Sequence, residues 1–152
     1  MKRKSARAII FVNNQILLMH RIKKDEDYYT FAGGGLDSNE TFNECVIREV
    51  LEEFGLKIKC DKLIYEYESN HTIQQFFLAH YISGEFGTGT GDEFNGNDKY
   101  GKYIPEKIDI DKIKEINLQP KVIKEKLIEN IEKHNLNLIP YIGVVKDYDT
   151  KY

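Results

Sequence analysis

Residues 34–56 read GGLDSNETFNECVIREVLEEFGL, and this stretch carries the clearest structural signal in the chain. Residues 37–39, DSN, are of the types that favour a helix N-terminus. Gly55 stands where a helix C-cap favours a residue with positive φ. These signals predict a helix over residues 41–54, preceded by a turn that contains the paired glycines.

The predicted helix has an acidic side that is separate from its apolar side. Glu49, Glu52 and Glu53 are neighbours on that side, because residues three and four apart meet on a helix surface. Three close carboxylates repel one another and favour a nearby cation. Mg²⁺ or Mn²⁺ fits, since both prefer oxygen ligands. The alternative is an ordinary solvated face, which is the commoner reason for a row of acids on one helix.

The spacing of the whole stretch resembles the Nudix box of the Nudix hydrolase family. That pattern is G-x5-E-x7-R-E-U-x-E-E-x-G-U with U aliphatic, and all nine specified positions match, with Val50 and Leu56 in the aliphatic slots. Asn39 stands where many members have Gly, and Asn also tolerates the left-handed conformation. The resemblance implies an α/β fold, namely a Nudix-type α/β/α sandwich with a mixed β-sheet and the box as a loop-helix-loop motif.

The resemblance also implies a role for each box residue. Glu49 and Glu53 would be ligands of a Mg²⁺ (or Mn²⁺) cofactor, and Glu52 would be a ligand or the catalytic base. The carbonyl oxygen of Gly33 would be a further metal ligand. Arg48 would pair with a box carboxylate and hold its orientation, as groups around a metal site commonly do.

Residues 84–103 are rich in glycine, acids and aromatic residues, and this composition predicts a long loop. Long loops inside compact domains are commonly functional, and the alternative is a floppy hairpin tip. Family members often recruit one more acid from outside the box. Glu93 is the candidate here, with Asp92 and Glu85 behind it.

Four residues before or within the predicted glycine turn are candidates for binding the substrate. Arg21 follows an apolar run and could form paired bonds to a phosphate, although it could equally be a surface charge at a strand end. Phe31 could stack on a base, although most aromatic residues near a sheet belong to the core. Gly34 and Gly35 would lie beside the cation and the phosphate that it holds.

The rest of the chain predicts strands around this helix, followed by a C-terminal helix. Asn13 and Asn14 predict a hairpin turn between two apolar runs. The predicted strands are residues 6–12, 15–21, 28–32, 56–67 and 72–83; a short element starts at Pro105, a short helix covers 109–116, and a last helix runs from Pro120 to 134.

The chain of 152 residues, with two cysteines and a net charge of -3, predicts a single domain over 1–152. It has no basic patch, which argues against nucleic acid as a partner, and no apolar run long enough for a membrane span. Without a targeting signal we expect a cytoplasmic protein. The tail, residues 135–152, could form an extra strand or pack against another subunit in a homodimer.

The function that the resemblance implies is metal-dependent hydrolysis of a pyrophosphate bond in a nucleoside diphosphate linked to another group. The compact size favours the MutT-like group, which converts a nucleoside triphosphate to the monophosphate and pyrophosphate. The alternatives are hydrolysis of ADP-ribose, a nucleotide sugar or a dinucleoside polyphosphate, and a Nudix domain that only senses a nucleotide. ADP-ribose hydrolases tend to carry a proline soon after the box, whereas here the first is Pro105.

Overall fold

The computed structural model of the chain describes residues 1–90, 101–136 and 143–148. These residues form a mixed sheet of nine strands, two α-helices and one 3₁₀ helix. The strands are β1 (Arg3–Val12), β2 (Gln15–Lys23), β3 (Glu26–Thr30), β4 (Ala32–Gly35), β5 (Leu56–Ser69), β6 (Thr72–Gly84), β7 (Lys102–Asp109), β8 (Leu118–Gln119) and β9 (Gly143–Asp147); the helices are α1 (Phe42–Phe54), the 3₁₀ helix (Ile110–Glu115) and α2 (Lys121–Glu132).

Strand β1 lies at the centre of the sheet. It pairs antiparallel with β2 and β4 and parallel with β6. Strand β2 pairs in turn with β3 and β7, and β6 pairs with β5. The parallel and antiparallel pairings together confirm the predicted mixed sheet of an α/β fold.

Two apolar cores lie on the two sides of this sheet, each beneath one helix. The first contains Val46, Val50 and Phe54 of α1, packed with Ala8 and other residues of the sheet. The second contains Ile123 and Leu127 of α2, packed with Phe31, Phe76 and Tyr65 among others. This layering agrees with the predicted α/β/α sandwich. No helix within the described ranges is long and apolar enough to cross a membrane.

The first hairpin turn and the C-terminal end of α1 are confirmed, whereas the N-cap of α1 is Thr41 rather than one of residues 37–39. Val12 pairs with Gln15 across the predicted turn, and Asn13 and Asn14 both have positive φ, as a two-residue hairpin turn of this type requires. Helix α1 ends at Phe54, and the C-cap Gly55 has a φ of 75°.

The predicted glycine turn before the helix is wrong. The glycines form strand β4, which is separate from β3 and pairs antiparallel with β1, so that Ala6 is opposite Gly34. A Cβ at Gly33 would lie 2.0 Å from the backbone oxygen of Ala6. Glycine is therefore required here for the close approach of two strands rather than for a change of direction.

Three predictions for the C-terminal third also need adjustment. The element at Pro105 is the strand β7, the short helix is a 3₁₀ helix, and α2 ends at Glu132. In the tail, β9 pairs parallel with β5, as the extra-strand alternative predicted.

Candidate active site

Helix α1 is fixed at both ends by hydrogen bonds that involve local residues. The Thr41 hydroxyl accepts a hydrogen bond from the Glu44 amide at 3.1 Å, and the Glu44 carboxylate accepts one from the Thr41 amide at 2.9 Å. At the other end, the Gly55 amide donates to the Leu51 carbonyl at 3.0 Å. Such caps set where the helix starts and stops, and they thereby aim its acidic side at β4.

Arg48 is the centre of the charge network on this helix. Its Nε and Nη2 donate to the two Glu40 oxygens at 2.8 and 2.9 Å, and its Nη1 donates to Glu49 at 3.0 Å and to Glu52 at 3.2 Å. The two bonds from Arg48 to Glu40, together with one from the Asp37 amide, lower the pKa of Glu40 to about 2. Glu40 therefore stays ionised and ties the loop before the helix to Arg48.

Glu49 and Glu53 lie against the glycine strand β4. Burial raises the pKa of Glu49, whose side chain is 17% exposed. Glu53 accepts a hydrogen bond from the Gly33 amide at 3.3 Å. A Cβ at Gly34 would lie 2.7 Å from the Glu49 carboxylate, so the glycine leaves the space that this carboxylate occupies. A desolvated carboxylate in this setting favours a cation beside it.

A cavity of about 470 Å³ opens in front of these two carboxylates. Its lining also includes three cations, Arg3, Arg7 and Arg21. Carboxylates and guanidinium groups thus face one space, an arrangement suited to a metal ion and phosphate groups bound together.

Two tyrosines also line this cavity, Tyr28 and Tyr103. The Arg21 guanidinium lies 3.5 Å from the centroid of the Tyr103 ring, and its Nε donates to the Lys102 carbonyl at 3.3 Å. The contact with the ring and the hydrogen bond, both to residues of β7, hold the Arg21 guanidinium beside the cavity.

Arg7 and Gln74 are site residues that the sequence analysis missed. The Arg7 Nη1 donates to the carbonyls of Phe31 at 3.0 Å and Gly33 at 3.2 Å, and its Nε donates to Gln74 at 3.3 Å. The available signal was a charged residue within an apolar strand, because Arg7 interrupts the run ARAIIFV. A lone charge in a central strand is seldom there without partners.

Most of the predicted site residues come together around the cavity. Their side chains or backbone line it directly. The predicted residues in this set are Arg21, Gly33, Gly34, Gly35, Glu49 and Glu53.

Four predicted site residues are not among those that line the cavity. Arg48 is one of them, and it bonds to Glu49 and Glu52 without contributing to the lining. Phe31 as a base-stacking residue is wrong, because its side chain is fully buried and packs edge-to-face on Phe76 at 5.2 Å between ring centroids. Glu52 is 42% exposed and bonds to Arg48 rather than lining the cavity. Glu93, with its neighbour Asp92, lies outside the described residues.

The predicted cluster of three metal-binding carboxylates is not assembled. Across the described part of the chain, no three acidic, histidine or cysteine side chains are placed to hold one metal ion. Glu49 and Glu53 nevertheless share the cavity with the glycine strand. Two carboxylates and the Gly33 carbonyl are the hard oxygen donors that Mg²⁺ or Mn²⁺ prefers, so this donor set fits such an ion.

The NUDIX domain family model matches residues 1–104, a range that includes β1 to β6, helix α1 and the cavity carboxylates. The chain therefore belongs to the Nudix hydrolase family. This membership agrees with the predicted resemblance.

Curated relatives match about half of this chain, and solved structures share its fold. The NAD-capped RNA hydrolase NudC of Photobacterium profundum is 37% identical over 76 residues, which is 47% of this chain and 28% of that protein. The ADP-ribose pyrophosphatase of Methanocaldococcus jannaschii is 34% identical over 88 residues, 53% of this chain and 52% of that protein. The chain thus spans about half or less of these relatives' lengths. A NUDIX hydrolase structure from Nitrosomonas europaea superposes with a TM-score of 0.71 at 18% identity, covering 96% of this chain and 80% of that one, and shows the shared fold.

Proposed function

We propose that the chain hydrolyses a pyrophosphate bond in a nucleoside diphosphate linked to another group, with Mg²⁺ or Mn²⁺ as its cofactor. The observation that carries this proposal is the cavity itself, where Glu49 and Glu53 face the same space as three arginines. A diphosphate carries negative charge that repels an attacking hydroxide. A site for its hydrolysis must therefore supply cations on more than one side of the phosphates.

Each group around the cavity has a distinct task in this proposal. Glu49, Glu53 and the Gly33 carbonyl would hold the divalent ion. When bound, such an ion neutralises phosphate charge and lowers the pKa of water. Arg48 positions Glu49 through its 3.0 Å bond without touching the substrate. We assign Arg21, which is held over the Tyr103 ring, as the residue that contacts a phosphate in the cavity.

The base that takes the proton of the attacking water has two candidates. Glu52 would have to leave its 3.2 Å bond to Arg48 to act, and its 42% exposure leaves it room to do so. Glu93 is the second candidate. Glu52→Gln and Glu93→Gln should differ in their pH–rate profiles. Only loss of the base removes the fall in rate at low pH that protonation of the base causes.

Two substrate classes are supported by different observations. The relatives named after NAD-capped RNA and ADP-ribose act on molecules that contain adenosine diphosphate linked to a ribose. That favours a nucleoside diphosphate joined to a sugar or a second nucleoside. The three arginines of the cavity favour a more highly charged substrate, such as a nucleoside triphosphate cleaved to the monophosphate and pyrophosphate.

A substrate panel tests the proposal. It holds ADP-ribose, NAD, nucleotide sugars, dinucleoside polyphosphates and nucleoside triphosphates including oxidised purines, each with Mg²⁺ or Mn²⁺ at mildly alkaline pH. Wild type, Glu53→Gln and Glu125→Gln are compared, the last being a matched change at an exposed position on α2. We expect metal-dependent cleavage of one class, abolished in Glu53→Gln and retained in Glu125→Gln.

The panel also separates the enzyme from a nucleotide sensor. Binding of a nucleotide without turnover of any substrate would contradict the proposed activity and favour the sensor. Equal turnover by wild type and Glu53→Gln would contradict the ligand set while leaving a hydrolase.

A further inference from the structure

Arg7 lies beneath the two cavity carboxylates, in the middle of the central strand β1. It is opposite Gly33 of β4 on one side and opposite Phe76 of β6 on the other. Pairing with strands on both sides restricts the backbone at Arg7 and so fixes the Cα position from which its side chain extends. The same strand pairing brings the Gly33 carbonyl within its reach.

Three hydrogen bonds hold the Arg7 guanidinium in place. Its Nη1 bonds to the carbonyls of Phe31 and Gly33, and its Nε bonds to the Gln74 side chain. Gln74 is only 7% exposed, and its amide in turn contacts the Thr72 hydroxyl at 3.4 Å. Arg7 also lines the cavity, and its Nη2 makes no hydrogen bond to any described residue.

The charges around Arg7 are those of the candidate metal site. Burial lowers the pKa of Arg7, and the negative charges of Glu53 and Glu49 oppose that effect. The guanidinium therefore compensates the same two carboxylates that would bind a divalent ion. It also bonds at 3.2 Å to the carbonyl oxygen that would be the third ligand.

We propose that Arg7 competes with the divalent ion for the Gly33 carbonyl oxygen and so sets how tightly the protein takes up that ion when no nucleotide is bound. The inference rests on the proposed function, because it takes Gly33, Glu49 and Glu53 as ligands of the ion. A guanidinium and a divalent ion at one oxygen repel each other strongly in a half-buried site. The ion must therefore displace the Arg7 Nη1 or bind against its charge.

Titration with Mn²⁺ alone, followed by the electron paramagnetic resonance signal of the free ion, measures this competition without turnover. Wild type, Arg7→Met and Arg7→Lys are compared in the absence of nucleotide. We expect Arg7→Met to lower the Mn²⁺ Kd by about tenfold or more, the factor that one charge-assisted hydrogen bond supports. Arg7→Lys should fall between the two, because an ammonium keeps the charge but lacks the planar fork.

Arg21→Met is the matched control. It removes one positive charge from the same cavity, but that charge is bonded to the Lys102 carbonyl rather than to the Gly33 carbonyl. Its Kd should change by less than about threefold, because a half-buried charge bonded to the Lys102 carbonyl has a weaker effect than a charge bonded to the ligand oxygen itself. Wild-type affinity for Mn²⁺ in both Arg7 variants would overturn the inference. So would an equal gain in Arg21→Met, since that would reflect net charge alone.

Two further observations keep the test decisive. Glu53→Gln should lose Mn²⁺ affinity, and if it does not, the ligand set of the proposed function fails rather than the role of Arg7. Thermal melts monitored by circular dichroism report folding, and Mn²⁺ should raise the Tm of Arg7→Met more than that of wild type. Should Arg7→Met not fold, the Arg7→Lys Kd decides, and a fall of less than about twofold would overturn the inference.

Discussion

Replacing Gly33 or Gly34 by alanine should separate the stability of strand β4 from the chemistry of the cavity. A Cβ at Gly33 would lie 2.0 Å from the Ala6 backbone oxygen. The φ of Gly33 is 151°, which alanine rarely adopts. A Cβ at Gly34 would instead lie 2.7 Å from the Glu49 carboxylate. The first clash is with backbone in a central strand, whereas the second is with the end of a side chain.

The two substitutions should therefore differ several-fold in their effect on the free energy of unfolding. At Gly33, backbone strain contributes about 1–3 kcal/mol and overpacking about 1–3 kcal/mol, because β1 is held on its other side by β6. We expect a loss of about 3–5 kcal/mol, which lowers the Tm by roughly 10 °C in a chain of this size. At Gly34 the loss should be about 1 kcal/mol or less, because only the carboxylate has to move.

Urea unfolding and Mn²⁺ titration of both variants test this contrast. Gly34→Ala should keep nearly wild-type stability yet bind Mn²⁺ at least about tenfold more weakly, since Glu49 is pushed from its position. Equal destabilisation by the two substitutions would refute the reasoning about β4. Wild-type Mn²⁺ affinity in Gly34→Ala would refute the assignment of Glu49.

Arg48→Met should lower the free energy of unfolding in urea by about 2 kcal/mol at neutral pH, because ionised Glu40 loses its paired donor. This loss should shrink as pH falls from about 4.5 towards the Glu40 pKa of about 2, and a pH-independent loss would contradict the reasoning. For His20, burial lowers the pKa, but hydrogen bonds to two carboxylates raise it overall above 6.5. Its stabilisation should be complete below pH 6.5 and be lost as pH rises through the raised pKa; an NMR titration midpoint at or below the ordinary value would contradict it. Tyr65→Phe should lower Tm through a loss of about 1–3 kcal/mol, because the buried hydroxyl bonds to Asn130 at 2.5 Å; an unchanged Tm would argue against that bond.

Helix α1 and the first hairpin could be predicted because their signals are local. The Gly55 cap and the Asn13–Asn14 turn depend on the φ preferences of the residues themselves. The spacing of the acids follows from helix pitch, so Glu49 and Glu53 could also be placed on a common side. Neither inference needs knowledge of distant parts of the chain.

The glycine strand could not be predicted from local sequence. A run of three glycines usually marks a turn, but here β1 and α1 both approach β4 so closely that side chains are excluded. That constraint comes from Ala6 and Glu49, which lie far from the glycines in sequence. Tertiary packing therefore decided the conformation of the run against its local preference.

The site residues outside the box were the least predictable. Phe31 follows β3 directly, and nothing in the sequence tells to which side of the sheet its ring turns; it turns to the core beneath α2. Arg7 and Gln74 become neighbours only through the parallel pairing of β1 with β6. Glu52 was expected as a metal ligand or base because of the resemblance and because helix pitch places it beside Glu49, but it bonds to Arg48 at 3.2 Å and does not line the cavity.

The most direct measurement follows the reaction products by phosphorus NMR in water enriched in oxygen-18. With Mg²⁺ present, ADP-ribose and a nucleoside triphosphate are each incubated with wild type and with Glu53→Gln. We predict that wild type cleaves one of them at the pyrophosphate and places oxygen-18 on one product phosphorus, while Glu53→Gln leaves both substrates intact. Cleavage without oxygen-18 on phosphorus, or the same labelled products from Glu53→Gln, would contradict hydrolysis by an ion held at Glu49 and Glu53.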